Sequence, residues 1–277
     1  MLDFSMTRLH EVTVVIYAIC VLLYFIDFLH TSQKVNKLAF WLLLIVWVLQ
    51  TIFLCLYVIE IGRFPILTIF EGLYFYVWVI IAFSLFINKF FKMDFILFFT
   101  NVLGFILMVV HTFAPSQIGS QVMAQQLMSE LLFIHITMAI FAYGAFTLSF
   151  VFSILYLIQY DLLKRKKWGK RLNRLGDLSK LEKWSYILNV IGIPILFSSL
   201  VLGLQWANLK LPEVSWLDAK ILGSFFIIIS YTFVIYCKQG KQVFGKKLAA
   251  INIASFLIVL INFFLFGSLS GFHYWNI

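Results

Sequence analysis

The chain has 277 residues, of which 63% are hydrophobic and 12% are charged, and it carries a net charge of +9; its mean hydropathy is +1.00. A soluble domain has about 25% charged and about 45–50% apolar residues, so this composition excludes a soluble enzyme and a disordered regulator. The apolar runs lack the alternating polarity that a β-barrel requires. The sequence therefore predicts an all-α fold: a polytopic helical membrane protein with a single integral membrane domain over residues 1–277.

Eight apolar runs follow one another along the chain, each near the length of about 20 residues that a membrane-spanning helix needs. The fifth run is too long for a hydrocarbon core of about 30 Å, so we expect its helix to tilt or to continue into the cytoplasm. The eight predicted spans are Val12–Phe28, Leu38–Ile59, Ile66–Ile87, Phe95–Phe113, Leu131–Tyr160, Ile187–Gln205, Leu217–Tyr236 and Leu248–Leu269.

The basic residues are distributed unequally between the two faces of the predicted membrane protein. Of the 21 Lys and Arg residues, 17 fall in the loops after spans 1, 3, 5 and 7, and four fall on the opposite face. By the positive-inside rule, the four basic loops face the cytoplasm and both termini lie outside the cell membrane. We therefore interpret the net charge mainly as an orientation signal and expect no nucleic acid partner. The four outer basic residues are Arg8, Arg63, Lys210 and Lys220.

The longest loop, residues 161–183, carries nine of these basic residues. Ser179 and Glu182 have the spacing of a capping box and predict the start of span 6 there. We expect the loop to contact anionic lipid, and a docking face for a cytoplasmic partner is the alternative. Apolar residues spaced by three and four, interrupted at Gly169 and Gly176, predict an amphipathic helix: Trp168, Leu172, Leu175, Leu178 and Leu181.

One acidic residue, Glu71, lies about five residues inside span 3. Ionisable residues within a span are costly and mark candidate functional sites. Its expected partner is Arg63, either as a structural ion pair or as part of a binding site. Pro65 suits the first position of the span 3 helix, where its missing N–H costs nothing.

Four of the five histidines fall on the predicted outer side of the membrane: His10, His111, His135 and His273. His135 lies about one turn inside span 5, and His273 follows span 8. Two imidazoles from different helices suit the axial positions of a haem iron. Zinc or copper are alternatives, although no spacing of the H-x-x-x-H type supports them. A hydrogen-bonded structural role is the other alternative for each histidine, and whether His111 competes as a ligand stays open.

Three tryptophans, Trp206, Trp216 and Trp275, lie at the predicted outer boundary. Aromatic belts are common at this depth. The same side chains would also form a stacking wall for a flat porphyrin, so both interpretations remain.

Four stretches carry further motifs in a fixed order. Gly62–Glu71 has the pattern G-x-F-P-x-x-x-x-x-E at the entry to a span, and Leu131–Gly144 holds His135. Leu181–Gly203 leads into a tryptophan segment, and Asn262–His273 ends in a G-x-H pattern. In this order and on these faces, they resemble the transmembrane cytochrome c assembly family, the haem-handling proteins of the CcsA and ResC type. The resemblance covers most of the chain from Gly62 onward and implies that His135 and His273 are outer haem ligands.

The chain departs from that family in its signature loop, which begins W-A-N and continues W-G-x-x-W-x-W-D-x-K. Trp206-Ala207-Asn208, Asp218 and Lys220 match this pattern, whereas three later tryptophan positions fall on Leu211, Ser215 and Leu217. The family's inner histidine falls at Cys237. These losses argue against cytochrome c ligation, and an eight-span chain with such a loop more closely resembles the HemX subfamily.

The resemblance implies a non-enzymatic protein of a bacterial cell membrane that binds haem b non-covalently. HemX proteins are associated with haem biosynthesis in low-GC Gram-positive bacteria, where they affect the amount of glutamyl-tRNA reductase. The expected partners are haem, the lipid bilayer and a cytoplasmic protein of haem biosynthesis at the basic loop. The alternatives are an active component of cytochrome c synthesis that exports or ligates haem, and a transporter of porphyrin or another small solute.

Overall fold

A computed structural model describes residues 2–91, 94–113, 129–166, 169, 174–210 and 216–270. Within these residues all regular structure is helical, which confirms the all-α prediction. Eight of the described helices are long and apolar enough to cross a membrane, so the chain is a multi-pass membrane protein. They are α1 (Leu2–His30), α2 (Gln33–Ile61), α3 (Ile69–Phe91), α4 (Asp94–Phe113), α5 (Glu130–Lys164), α6 (Leu178–Lys210), α7 (Ala219–Gln239) and α8 (Lys246–Ile261).

The last membrane helix ends irregularly. Asn262–Phe266 form a π-helical turn directly after α8, and Gly267–Leu269 form a short helix, α9. A π-helical turn replaces the usual hydrogen-bond pattern by one residue's wider spacing and often occurs at functional sites. The apolar run of the eighth span did not predict this change.

The described residues fall into two compact units. The first unit comprises the described residues within 1–65, 70–114 and 165–176, and so contains α1, α2, α4 and nearly all of α3. The second unit comprises those within 66–69, 115–164 and 177–277, and contains α5 to α9.

Helix α3 begins later than the sequence predicts. Pro65 was expected at the first helical position, but the helix starts at Ile69, and Pro65 is buried in an irregular segment. Gly62 ends α2 with a left-handed φ of 72° and donates its N–H to the Val58 carbonyl at 2.9 Å, which is a common helix C-cap. The prediction for Pro65 is therefore wrong, and Glu71 lies in the first turn of α3.

The predicted capping box at the start of α6 is also wrong. The helix begins at Leu178, and the amides of Lys180 and Leu181 donate to the Asp177 carbonyl at 3.0 and 3.1 Å. The Glu182 carboxylate instead accepts from the Gly245 amide at 2.8 Å and pairs with Lys238 at 3.3 Å. The Glu182 side chain therefore binds groups distant in the chain and does not cap the start of its own helix.

The fifth span forms one helix that is longer than the hydrocarbon core, as its apolar run predicts. Helix α5 has 35 residues and runs without interruption to Lys164, which at about 1.5 Å per residue exceeds the hydrocarbon core. Trp168 and Leu172 of the predicted amphipathic helix lie outside the described residues. Leu175 is 1% exposed. Gly176 has a left-handed φ of 85°, so helical structure is interrupted there before α6 begins.

A buried ion pair anchors the end of the basic loop within the first unit. The Arg174 guanidinium donates two hydrogen bonds to the Asp27 carboxylate of α1, at 2.7 and 2.8 Å. Asn36 of α2 donates to the same carboxylate at 2.8 Å, and Arg174 lies 5.1 Å above the Phe95 ring. Asp27 is 1% exposed, so these donors compensate the negative charge of a carboxylate that is buried from solvent.

Replacing Arg174 by alanine should destabilise the protein strongly, because the Asp27 carboxylate would stay buried without its cation. Removing one member of a buried pair typically costs about 3–5 kcal/mol. The matched control is Lys180→Ala, which breaks the Lys180–Asp177 pair, whose side chains are 63% and 69% exposed, and exposed pairs contribute about 1 kcal/mol or less. Thermal unfolding in detergent micelles measures both, and equal losses of Tm would contradict the prediction.

Candidate functional site

His135 lies in the first turns of α5, and its imidazole is held by α6 within the second unit. Its Nδ1 lies 2.6 Å from the Ser199 carbonyl oxygen and 3.0 Å from Ser199 Oγ. Ser199 Oγ in turn donates to the His135 carbonyl at 2.7 Å. Because a carbonyl oxygen only accepts, Nδ1 carries the proton. In its neutral form the ring then presents the lone pair of Nε2, which is the atom able to bind a metal.

Gly203 makes room for this ring. A Cβ atom at Gly203 would lie 2.6 Å from Cε1, 2.7 Å from Nδ1 and 3.0 Å from Nε2 of His135. Real Cβ atoms do not approach other heavy atoms so closely. Gly203 lies one helical turn after Ser199 on the same face of α6, so the two residues together set the position and the orientation of the imidazole.

Asp218 connects α7 to the segment that follows α9. It is the N-cap of α7 and accepts from the Lys220 amide at 2.9 Å. Both carboxylate oxygens also accept from Ser270 Oγ at 2.9 Å. Ser270 precedes His273 by three residues, and His273 itself lies outside the described residues. The start of the segment that carries the second predicted ligand is thus fixed to the N-terminus of α7.

Lys220 lies beside the π-helical turn. Its ammonium group donates to the Asn262 carbonyl at 2.9 Å and lies 5.7 Å from the centre of the Phe263 ring. The Asn262 side chain donates to Tyr143 Oη at 3.0 Å. Lys220 matches the family pattern in the sequence, whereas Asn262 and Tyr143 were not predicted. The sequence signal for this contact was Asn262 itself, because a polar side chain within an apolar span needs a partner.

The three tryptophans differ in exposure where they are described. Trp206 is 6% exposed and belongs to the interior of the second unit, whereas Trp216 is 59% exposed. Trp275 lies outside the described residues. Burial of Trp206 favours a packing role over an aromatic belt. Trp216 has the exposure that either a belt or a stacking surface requires.

Arg63 and Glu71 form a bidentate ion pair in the first unit. Arg63 Nη1 donates to Oε2 at 2.9 Å and Nη2 to Oε1 at 2.8 Å. Arg63 is 7% exposed and Glu71 is 5% exposed, and Tyr57 Oη lies 3.5 Å from Glu71 Oε1. The carboxylate is thus engaged by protein donors, which favours the structural interpretation over a binding site.

The first unit also brings together His10 of α1 and His111 of α4, whose ring centroids are 5.0 Å apart. Both histidines were predicted on the outer side of the membrane. Their contact was not predicted, because they are 101 positions apart in the sequence. Among the described residues there is no group of three or more His, Cys, Asp or Glu side chains that could hold a metal ion.

The sequence of residues 66–273 matches the protein family described as cytochrome c assembly protein. Protein HemX of Bacillus subtilis (strain 168) is 54% identical over 276 residues, which covers 100% of both chains. Protein HemX of Brevibacillus brevis is 40% identical over 267 residues, 96% of this chain and 97% of that protein. Cytochrome c biogenesis protein CcsA of Solanum lycopersicum is 25% identical over 234 residues, 73% of this chain and 74% of that protein.

Replacing Gly203 by alanine should destabilise the second unit and displace the His135 ring, because the new methyl group would overlap the imidazole. Overpacking of this kind costs about 1–3 kcal/mol. Gly267→Ala is the matched control, since a Cβ there would meet only Lys220 Nζ at 3.8 Å. Thermal unfolding in micelles compares the two variants. A Gly203→Ala protein as stable as the control would show that the ring has space to move.

Proposed function

Because the chain belongs to the cytochrome c assembly protein family, we propose that it is a non-enzymatic haem-binding membrane protein that regulates haem biosynthesis. Its similarity to two HemX proteins extends over essentially the whole chain, and the family's tryptophan-rich loop is degenerate in the sequence. This combination favours a regulator over a protein that presents haem to apocytochrome.

The hydrogen bonding of His135 is the observation that carries the proposal. A metal-ligating histidine usually donates its other ring N–H to a carbonyl or carboxylate, which orients the ring and raises its basicity. His135 has this arrangement through Ser199, and the absence of a side chain at Gly203 leaves the space that the ring occupies. The residue therefore fits an axial ligand of haem b, which would bind through Nε2.

His273 is proposed as the second axial ligand, with Trp206, Trp216 and Trp275 nearby. The bond between Ser270 and Asp218 supports this role, since it holds the segment before His273 at one end of α7. The distribution of basic residues supports an orientation with both termini outside the cell. The haem site then lies on the outer side of the membrane.

Regulation requires that haem binding favour one conformation over another. Haem supplies two axial coordination positions, and His135 and His273 belong to segments 138 residues apart. Ligation by both would restrain the segment after Ser270 relative to α5. We propose that the basic loop at residues 161–183 contacts a cytoplasmic protein of haem biosynthesis and alters the amount of glutamyl-tRNA reductase.

Purified protein should bind haem with a Soret band typical of two histidine ligands. The variant with both His135→Ala and His273→Ala should lose at least about tenfold in affinity and change its spectrum, because metal affinity falls 10–100-fold even when only a supporting partner is removed. His30→Ala is the control, since His30 is an exposed histidine at the C-terminal end of α1. Titration followed by absorption tests this, and an unchanged spectrum and affinity in the double variant would refute the site.

Deletion of the gene should change the amount of glutamyl-tRNA reductase while cytochromes c keep their covalent haem. Complementation with the double variant His135→Ala, His273→Ala should fail to restore the normal amount, because the proposed signal depends on haem ligation. Immunoblots of the reductase and haem staining of cytochromes c provide the readouts. Loss of haem attachment would instead support a role in cytochrome c synthesis, and haem flux in proteoliposomes would support a transporter.

A further inference from the structure

The first unit contains a cluster of ring side chains from three helices. They are His10 of α1, Tyr74 of α3 and His111 of α4. The ring centroids of the two histidines are 5.0 Å apart. The Tyr74 centroid lies 5.9 Å from that of His10 and 5.3 Å from that of His111. The cluster is at the end of these helices that is predicted to face outward. It is separate in sequence and in chemistry from the proposed haem ligands of the second unit.

Three polar atoms of this cluster are unused. His10 Nδ1, His111 Nδ1 and Tyr74 Oη are buried and form no hydrogen bond with any described residue. The other nitrogen of His10 does have a partner, since Nε2 lies 3.1 Å from Thr112 Oγ1. An unsatisfied buried polar atom costs about 1–3 kcal/mol. Three of them on adjoining rings therefore indicate that a ligand belongs at this place.

The separation of the two imidazoles suits a metal ion with bent coordination. With metal–nitrogen bonds of about 2.0–2.1 Å, ligands on opposite sides of an ion would have ring centroids about 6 Å apart, whereas a bent arrangement gives about 5 Å. The observed separation is 5.0 Å. A haem iron needs its two histidines on opposite faces of the porphyrin, so this pair does not suit a haem.

The charge around the cluster favours a monovalent ion. Both histidines and the phenol are neutral ligands, and the flanking carboxylates already have cations: Glu11 pairs with Arg8 at 2.7 Å and Glu71 with Arg63 at 2.8 Å. Charge is costly to bring out of water, so an ion with one charge is easier to accommodate here than an ion with two.

Soft donors lie close in sequence to each histidine. Met6 precedes His10 by four residues and Met108 precedes His111 by three, so each thioether shares a helix face with its histidine. Met6 is 6% exposed and Met108 is 0% exposed. The Met108 sulfur already accepts from Gln50 Nε2 at 3.9 Å, which leaves Met6 as the thioether for the site. Thioether ligands favour monovalent copper, and imidazole also suits copper.

We propose that His10 and His111 bind a monovalent copper ion, with Met6 as a thioether ligand and Tyr74 beside it. The proposed copper site requires neither haem nor the second unit. Sequence spacing alone gave no support for copper, because the two ligands come from helices that are far apart in the chain.

The experiment is an anaerobic titration of the purified full-length protein with copper(I) in competition with a colorimetric copper(I) chelator. We expect the protein to retain one equivalent, and His10→Ala combined with His111→Ala to lose at least about tenfold in affinity. His30→Ala is the matched control on α1 and should bind as the parent does. X-ray absorption of the copper-loaded protein should show nitrogen and sulfur scatterers.

Equal copper affinity in the parent and the double variant would overturn the site, and tighter binding of zinc than of copper(I) would overturn the choice of a monovalent ion. Thermal unfolding without metal reports whether the double variant is folded. If it is not, His111→Gln, which keeps a polar side chain of similar length, takes its place. The His135→Ala variant should bind copper normally, so failure of the haem proposal and failure of the copper proposal give different results.

Discussion

The absence of water from the hydrocarbon core is the constraint on which the rest of this structure depends. A polar side chain there has no solvent to bind, so it needs a protein partner. The second unit meets this requirement with amide and hydroxyl contacts, such as Asn189 with Asn252 at 2.7 Å. Charged side chains buried at the ends of the helices need partners as well, and in the first unit two bidentate ion pairs supply them, Arg63 with Glu71 and Arg174 with Asp27. Interhelical polar bonds of this kind fix which helices are neighbours and in which register they pack.

Under that constraint, adjoining buried polar atoms without a partner among the described residues mark a candidate ligand site. The charged candidates from the sequence proved to be engaged: Glu71 by Arg63, and Asp218 by Ser270 and the Lys220 amide. Among the described residues, the His135 ring is engaged only through Nδ1, with Ser199. Distinguishing the engaged from the available atoms is what the structure adds to a list of residue types.

The sequence was sufficient for the all-α class, the eight spans and the great length of α5, because each depends on a run of apolar residues long enough to be unambiguous. It failed at helix starts, where Pro65 and the Ser179–Glu182 pattern are only local signals. Pro65 lies in an irregular segment before α3, and Glu182 contacts the Gly245 amide and Lys238, which are distant along the chain. It could not pair His10 with His111 or Arg174 with Asp27, because partners separated by 101 and 147 residues meet only after the helices have packed.

The π-helical turn after α8 has a consequence for register. An ordinary helix advances about 100° per residue, and a π-helical turn holds one more residue than an α-helical turn. Asn262–Phe266 therefore shifts residues 267–270 by one position around the helix axis. Ser270, which lies in this shifted segment, reaches Asp218 at the N-terminus of α7. The turn thus acts as a one-residue insertion in the last membrane helix, and it changes which of the last described side chains face α7.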